Sequence, residues 1–358
     1  MGTLSEAYRD HPLNLNHIIP LDFGSTRTVP ESHIWSQSGE FSSGGFSGDQ
    51  NSIPVIDLGD PNAAELIVKA CQSWGAFQLT SHGIPLKLIE EVEFEARRLF
   101  ALPAHQKLKA LRSPGGTTGY GVARITPFFS KYMWHEGFTI MGSPIDHAKE
   151  LWPHGYEPFC EIMENYQKQM KNLADKLLRI ILKTLNISEE EVSFLGSNKK
   201  EGTGEAPCTA LQLNSYPSCP DPTRAMGLAP HTDTSLITIL HQGKINGLQI
   251  LKDGERWVPV KPISGAVVVN VGDLLHILSN GGFPCVVHRA VVNRKRQRFS
   301  MAYFYSPPPD FNVTPFLSKT SSLNSNDIIN PRYRSVTVKE YVGIKNKHLD
   351  KALSFIRI

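Results

Sequence analysis

Apolar positions change period along the chain, and the change divides it. Ile53-Pro54-Val55-Ile56-Asp57-Leu58 is a short apolar run of strand character, and Trp74-Gly75-Ala76-Phe77-Gln78-Leu79 repeats that texture after a helical stretch over residues 62–73. Residues 86–100 place Leu88, Ile89, Val92 and Leu99 at helical spacing. Residues 159–185 form the longest such segment, with Ile162, Tyr166, Met170, Leu173 and Leu177 on one stripe. That stripe is packing surface and is assigned no chemistry. After Gly204 the runs become short and β-rich, over 209–216, 236–241, 248–251, 257–260, 266–271, 286–293 and 299–306. Turn residues separate them at intervals of roughly ten, the texture of a sandwich or barrel. Residues 338–356 return to helical spacing and predict a helix that caps an edge or mouth of that sheet.

Two segments lack any period. Residues 24–52 are rich in Ser, Gly, Thr and Pro, which predicts a mobile arm and an ordered protein starting near Ile53. Residues 112–122 (RSPGGTTGYGV) hold four glycines and a proline, with Tyr120, Phe128, Phe129, Tyr132, Trp134 and Phe138 in or after them. A structureless loop so surrounded reads as a lid. The expected organisation is an arm over 1–52, a mixed helical region with the lid over 53–204, a β core over 205–308 and a capping segment over 309–358. The expected fold class is mainly β with flanking helices.

Composition then removes function classes. Of 358 residues, 40% are hydrophobic and 20% charged, which excludes a disordered or fibrous chain. Lys and Arg number 37 against 34 Asp and Glu and are scattered, so no basic stripe exists to track nucleic acid. Five cysteines (Cys71, Cys160, Cys208, Cys219, Cys285) without a CxxC pair fit a reducing compartment. With no signal-like start and no run of eighteen apolar residues, a cytoplasmic protein that does not enter the membrane is expected, as a monomer. Neither GxGxxG after a strand nor GxxxxGK[ST] occurs, so nucleotide-binding folds lose support.

The candidate chemistry lies in the β-rich half. His231-Thr232-Asp233 sets an imidazole and a carboxylate two residues apart, on one face if the backbone is extended. His288 opens a run expected to lie antiparallel to the first across a sandwich. Two imidazoles and a carboxylate on one side of an octahedral ion leave three positions open, as in non-haem ferrous oxygenases, but zinc with a water would accept the same set. Ten residues after His288, Arg298 and Ser300 share a strand face with Ala302 and Phe304, while Phe299, Met301, Tyr303 and Tyr305 form the packing face. A guanidinium turned inward is costly without an anion, and its planar fork suits a carboxylate to which Ser300 adds a hydrogen bond. A metal beside a receptor for a chelating dicarboxylate follows. Asn214 and Tyr216, again two apart, offer further donors. His82, His135, His241 and His276 read as packing or hydrogen-bonding histidines, and Cys285 as a small core residue.

The ordered set Asn214-x-Tyr216, His231-Thr-Asp233, Asn270-Val-Gly-Asp273, Ser279-Asn-Gly281, His288 and Arg298-x-Ser300, with the opening IPVIDL and WGAFQLTSHGI, resembles plant Fe(II)/2-oxoglutarate-dependent dioxygenases from Ile53 to Pro308. The resemblance implies a double-stranded β-helix, a jelly roll of the cupin kind. It implies iron held by His231, Asp233 and His288, and 2-oxoglutarate held through its far carboxylate by Arg298 and Ser300 with help from Asn214 and Tyr216. Ascorbate dependence is a further family expectation. One departure is Phe283-Pro284-Cys285, where relatives usually carry an aromatic residue, Lys and Ser. It touches no ligand position and bears on local loop geometry or specificity.

More narrowly, residues 119–125, Phe128-Phe129, Trp134, Glu136–Ile140, Gly142-Ser-Pro144 and the amino-terminal HPLNLNHIIPLDF are similar to gibberellin 3-beta-dioxygenases. That similarity implies O2-dependent 3β-hydroxylation of inactive gibberellin precursors to bioactive gibberellins, through a ferryl oxidant. The partner would be a diterpenoid acid in an apolar pocket. Arg124 and Lys131 are the candidate cations for its carboxylate, and Tyr120, Phe128, Trp134 and Phe138 the candidate walls. The competing readings are a sister dioxygenase acting at another gibberellin position or on a flavonoid, a zinc hydrolase, and a catalytically silent hormone-binding module.

Overall fold

The computed structural model of the protein describes residues 18–35, 52–185, 206–316 and 330–358. Its strands are β1 (Val55–Asp57), β2 (Ala76–Thr80), β3 (Gly119–Gly121), β4 (Glu136–Ile140), β5 (Cys208–Tyr216), β6 (Met226–His231), β7 (Ile237–His241), β8 (Leu248–Lys252), β9 (Arg256–Pro259), β10 (Val267–Val271), β11 (His288–Val291), β12 (Arg298–Ser306), β13 (Asn312–Val313) and β14 (Val336–Thr337). The helices are α1 (Ala63–Ser73), α2 (Leu86–Phe100), α3 (Ala104–Lys107), α4 (Ile145–Leu151), α5 (Glu157–Lys183), α6 (Asp273–Leu278) and α7 (Val338–His348).

An eight-stranded sheet runs in the order β1-β2-β10-β7-β12-β5-β4-β3, and a four-stranded sheet in the order β6-β11-β8-β9. Side-chain alternation along β7, β10 and β12 builds two cores from the same strands. Ile239, Val267, Met301, Tyr303 and Tyr305 face outward and pack with the stripe of α5, including Met163, Tyr166 and Met170. Leu240, Val268 and Ala302 face inward against Leu248 and Ile250 of the smaller sheet. A strand buried on both faces must be apolar throughout, which is why β10 reads Val-Val-Val-Asn-Val and is buried at every position. The β-rich reading, the expected strands of the carboxyl-terminal half and the α5 stripe all appear.

The structure also departs from the expectations. β11 is antiparallel to β6 within one sheet, with His288 directly opposite His231, so the two histidines are cross-strand neighbours and do not face each other across a sandwich. β1 and β2 join one side of the large sheet and β3 and β4 the other, so strands from the region before residue 205 complete the sheet expected to begin there. The expected lid is tied down at Gly119–Gly121, where β3 pairs with β4. Part of the expected arm is packed. The Val122 amide donates to the Ile18 carbonyl at 2.8 Å, and the Tyr132 amide to that of Ser32 at 2.8 Å. The Trp35 indole donates to the Tyr132 carbonyl at 2.9 Å, and Phe23 lies 4.9 Å from Trp134 between ring centroids. A few large anchors are enough to hold a segment poor in apolar residues; residues 1–17 and 36–51 of the arm lie outside the described residues. The final helix ends earlier than expected, at His348, and a tighter turn of helix continues over Leu349–Phe355.

Candidate functional site

β6 delivers His231 at its last position, and the antiparallel register brings His288 beside it with ring centroids 4.3 Å apart. Each ring is fixed through Nδ1, which donates to the carbonyl of Ala229 at 2.8 Å and of Val286 at 3.2 Å respectively. That tautomer leaves both Nε2 lone pairs free as ligands. The chain leaves β6 after His231, so Asp233 arrives through a turn and not along the same strand face. The turn is held by the start of α6, where the Asp273 amide donates to the Asp233 carbonyl at 2.8 Å. A Cβ at Gly272 would stand 2.0 Å from the Ser235 carbonyl oxygen, so only glycine lets the two segments approach.

Asp233 Oδ1 lies 3.7 Å from His231 Nε2 and 3.8 Å from His288 Nε2, and the three ligand atoms fall within 4.8 Å of one another. Asp233 Oδ2 is buried without a hydrogen-bond partner. Burial, reinforced by the neighbouring His288, holds the His231 imidazole well below its ordinary value and so favours its neutral form. Burial pushes Asp233 upward, but His288, His231, a Thr238 hydrogen bond and Lys345 outweigh it and hold the carboxyl below its ordinary value. Two imidazoles with their Nε2 atoms beside a buried carboxylate that has an orphaned oxygen fit a divalent metal ion.

A second cluster lies on the strand pair beside the triad. In the β12–β5 ladder Arg298 is opposite Tyr216 and Ser300 opposite Asn214, which brings all four predicted residues together. Arg298 is 2% exposed. Its Nε donates to the Ile245 carbonyl at 3.1 Å, and its guanidinium carbon stands 5.1 Å from the Tyr216 ring centroid. Burial lowers its affinity for the proton and the Tyr216 phenol opposes that; among the described residues no carboxylate is among its partners. Gly247 makes room for it, since a Cβ there would stand 2.8 Å from Arg298 Cδ. The Asn214 amide nitrogen reaches the Ser300 hydroxyl at 3.4 Å.

Both clusters open into one cavity of about 290 Å³. Its walls include Ile125, Phe128 and Leu228, and α7 closes one side with Val338, Val342 and Lys345. Lys345 Nζ donates to Asp273 Oδ2 at 2.6 Å and to the Thr232 hydroxyl at 2.5 Å, and the Tyr341 hydroxyl reaches the same Asp273 oxygen at 2.8 Å. This buried pair ties α7 to the turn carrying Asp233. Lys345 gives no sequence signal of its own; the hint was Asp273, a carboxylate opening the apolar run Leu274-Leu275-His276-Ile277-Leu278, which needs a cation once buried.

Of the residues expected to meet the substrate, Arg124 and Phe128 line the cavity, and an Arg124 Nη also donates to the Gly116 carbonyl. Tyr120, Lys131, Trp134 and Phe138 do not. The Tyr120 hydroxyl is committed to Glu136 at 2.5 Å, beside the Lys107–Glu136 pair at 2.7 Å. Trp134 packs on Phe23, and Phe138 meets Phe159 edge-on at 6.3 Å. Lys131 lies at the surface and donates to the Glu31 carbonyl at 3.0 Å. An aromatic-rich lid segment supplies core and cavity alike, and spacing alone did not separate the two. His82 and His276 hydrogen-bond to the Gly265 and Phe283 carbonyls at 2.6 and 2.8 Å, as a packing role predicts. His135 does more, for it lines the cavity and meets Asn214.

The comparisons with known proteins agree with this geometry. The model of the 2OG-Fe(II) oxygenase superfamily matches residues 207–307, and that of the non-haem dioxygenase in morphine synthesis N-terminal region matches residues 53–155. A crystal structure of JOX2 in complex with 2OG, Fe and JA superposes with a TM-score of 0.75 at 26% identity, covering 93% of this chain and 95% of that one. The dioxygenase for auxin oxidation in rice gives 0.67 at 25% identity, over 86% and 100%. The fold is the double-stranded β-helix of these enzymes, and the protein is an Fe(II)- and 2-oxoglutarate-dependent dioxygenase. Gibberellin 3-beta-dioxygenase 1 of Pisum sativum is 50% identical over 100% of this chain and 94% of its own length, and gibberellin 3-beta-dioxygenase 2 of Arabidopsis thaliana is 45% identical over 99% of each. The chain belongs to the gibberellin 3-beta-dioxygenase family. Among its described residues no helix is long and apolar enough to cross a membrane.

Proposed function

We propose that this enzyme hydroxylates inactive gibberellin precursors at the 3β position to give bioactive gibberellins. The observation that carries this reading is the 50% identity to a gibberellin 3-beta-dioxygenase over the whole chain, lid and amino-terminal segment included. His231, Asp233 and His288 are proposed to hold Fe(II), with Arg298, Ser300, Asn214 and Tyr216 holding 2-oxoglutarate. When bound, Fe(II) with 2-oxoglutarate and O2 supplies an oxidant that turns a C–H bond into C–OH, one oxygen atom going to the substrate and the other to succinate as carbon dioxide leaves.

The chain's own contribution is placement. Arg298 presents its guanidinium to the far carboxylate of 2-oxoglutarate, because Ile245 occupies its Nε and Gly247 clears its stem. The apolar wall at Ile125, Phe128 and Leu228 suits a rigid hydrocarbon skeleton and excludes water. Arg124 is the proposed partner of its carboxylate. The position hydroxylated is then the carbon that this wall holds nearest the triad.

The test is incubation with Fe(II), 2-oxoglutarate, O2 and a panel of 3-deoxy gibberellins, reading succinate and the position of the new hydroxyl by mass spectrometry. A 3β product matched by succinate, lost in His231→Ala, is expected. A hydroxyl elsewhere would replace the assignment with a sister oxygenase, and gibberellin binding without succinate would replace it with a binding module.

A further inference from the structure

His135 closes the strand-side edge of the proposed 2-oxoglutarate pocket, and the function assigned above gives it no task. It immediately precedes β4, is 1% exposed and lines the cavity. Its Nε2 lies 2.9 Å from the Asn214 Oδ1. An amide oxygen only accepts, so Nε2 must carry the proton. Burial lowers the imidazole to about 4, so at neutral pH the ring has a single N–H, and Asn214 takes it. That bond fixes which way the Asn214 amide points. With Oδ1 turned to His135, the amide nitrogen is left for Ser300 at 3.4 Å and for the pocket. The same ring packs on Tyr216, with centroids 5.2 Å apart. One side chain thus braces both β5 residues proposed to contact 2-oxoglutarate. Gly137 leaves the ring its place, since a Cβ there would stand 2.4 Å from Gln212 Nε2 and 3.0 Å from His135 Cε1.

We propose that His135 is a positioning residue for 2-oxoglutarate, locking the Asn214 amide so that its N–H donors face the cosubstrate and the Ser300 hydroxyl. Without that lock the amide turns freely and presents its oxygen to an anionic ligand about as often as its nitrogen. The inference rests on the reading of Asn214 as a cosubstrate contact.

The test compares His135→Leu, His135→Gln, Asn214→Ala and the double variant His135→Leu/Asn214→Ala. Each is measured for its KM for 2-oxoglutarate at saturating gibberellin, its KM for gibberellin at saturating 2-oxoglutarate, and the Kd of the Fe(II)-loaded enzyme for 2-oxoglutarate by calorimetry. His135→Leu should weaken 2-oxoglutarate roughly tenfold, the scale of one hydrogen bond, with the gibberellin KM unchanged. His135→Gln, whose amide can still donate to Oδ1, should restore most of the affinity, and the double variant should be no weaker than Asn214→Ala alone. A loss in Asn214→Ala with none in His135→Leu would overturn the lock and keep the pocket. No loss in Asn214→Ala would overturn the reading beneath it. Equal losses for both ligands, or failure of His135→Gln to rescue, would make His135 a general packing residue and end the proposal.

Discussion

Gly247→Ala perturbs Arg298 without replacing any residue of either polar cluster. The added methyl would stand 2.8 Å from Arg298 Cδ, 3.1 Å from its Nε and 2.9 Å from the Val291 carbonyl oxygen. Ordinary contact begins near 3.4 Å, so something must move by more than half an ångström. The Val291 side is stiff, because its amide donates to the Gly247 carbonyl at 2.8 Å. The arginine stem is the softer partner, and shifting it strains the 3.1 Å bond from Nε to Ile245 that aims the guanidinium. A misaligned charge-assisted hydrogen bond loses about 2 kcal/mol, or roughly thirtyfold in affinity. The assay is succinate release against 2-oxoglutarate concentration at saturating gibberellin. The KM for 2-oxoglutarate should rise by that factor while the gibberellin KM stays put. A 2-oxoglutarate KM within twofold of the parent enzyme would refute the claim that Gly247 sets the position of Arg298.

Three other outcomes follow from the same site. Lys345→Met leaves Asp273 buried without its cation and should cost about 3–5 kcal/mol; Asp273→Asn added to it should recover part of the loss, and an unchanged thermal midpoint in the single variant would show the pair to be dispensable. Arg124→Ala should raise the gibberellin KM several-fold and leave that for 2-oxoglutarate alone; an unchanged gibberellin KM would remove Arg124 from substrate binding. Because burial holds His135 near 4 in the folded protein, the unfolded chain binds the extra proton below its ordinary value near 6.5. Stability must then fall as pH drops through that window, by about 2 kcal/mol at pH 5 from this residue alone, and denaturant titrations of His135→Gln should show a shallower decline than the parent.

What could be read from sequence follows what is local. A two-residue period fixes which side chains share a face, so the sequence alone groups Arg298 with Ser300 and Asn214 with Tyr216, and all four line the cavity. Register between distant strands has no such signature. His288 was therefore expected across a sandwich when it sits opposite His231 in the same sheet. Short strands fared worst: β3 is Gly-Tyr-Gly, and its pairing with β4 is a tertiary fact invisible in a glycine-rich loop. Among the lid aromatics, those that belong to the core and those that face the cavity share one composition, and only the fold sorts Trp134 from Phe128.

The segment Ile18–Trp35 has a consequence for how this enzyme is divided. The matched family regions begin at Ile53, yet the carbonyls of Ile18 and Ser32 receive the amides of Val122 and Tyr132, on either side of the cavity-lining Ala123, Arg124, Ile125 and Phe128. A chain shortened only at its amino-terminal end, to start at Ile53, would keep every proposed iron and 2-oxoglutarate contact and lose the outer brace of its substrate wall. Such a fragment should still consume 2-oxoglutarate but couple that consumption poorly to hydroxylation, an outcome that would make the amino-terminal segment part of the specificity apparatus although it contributes no reactive atom.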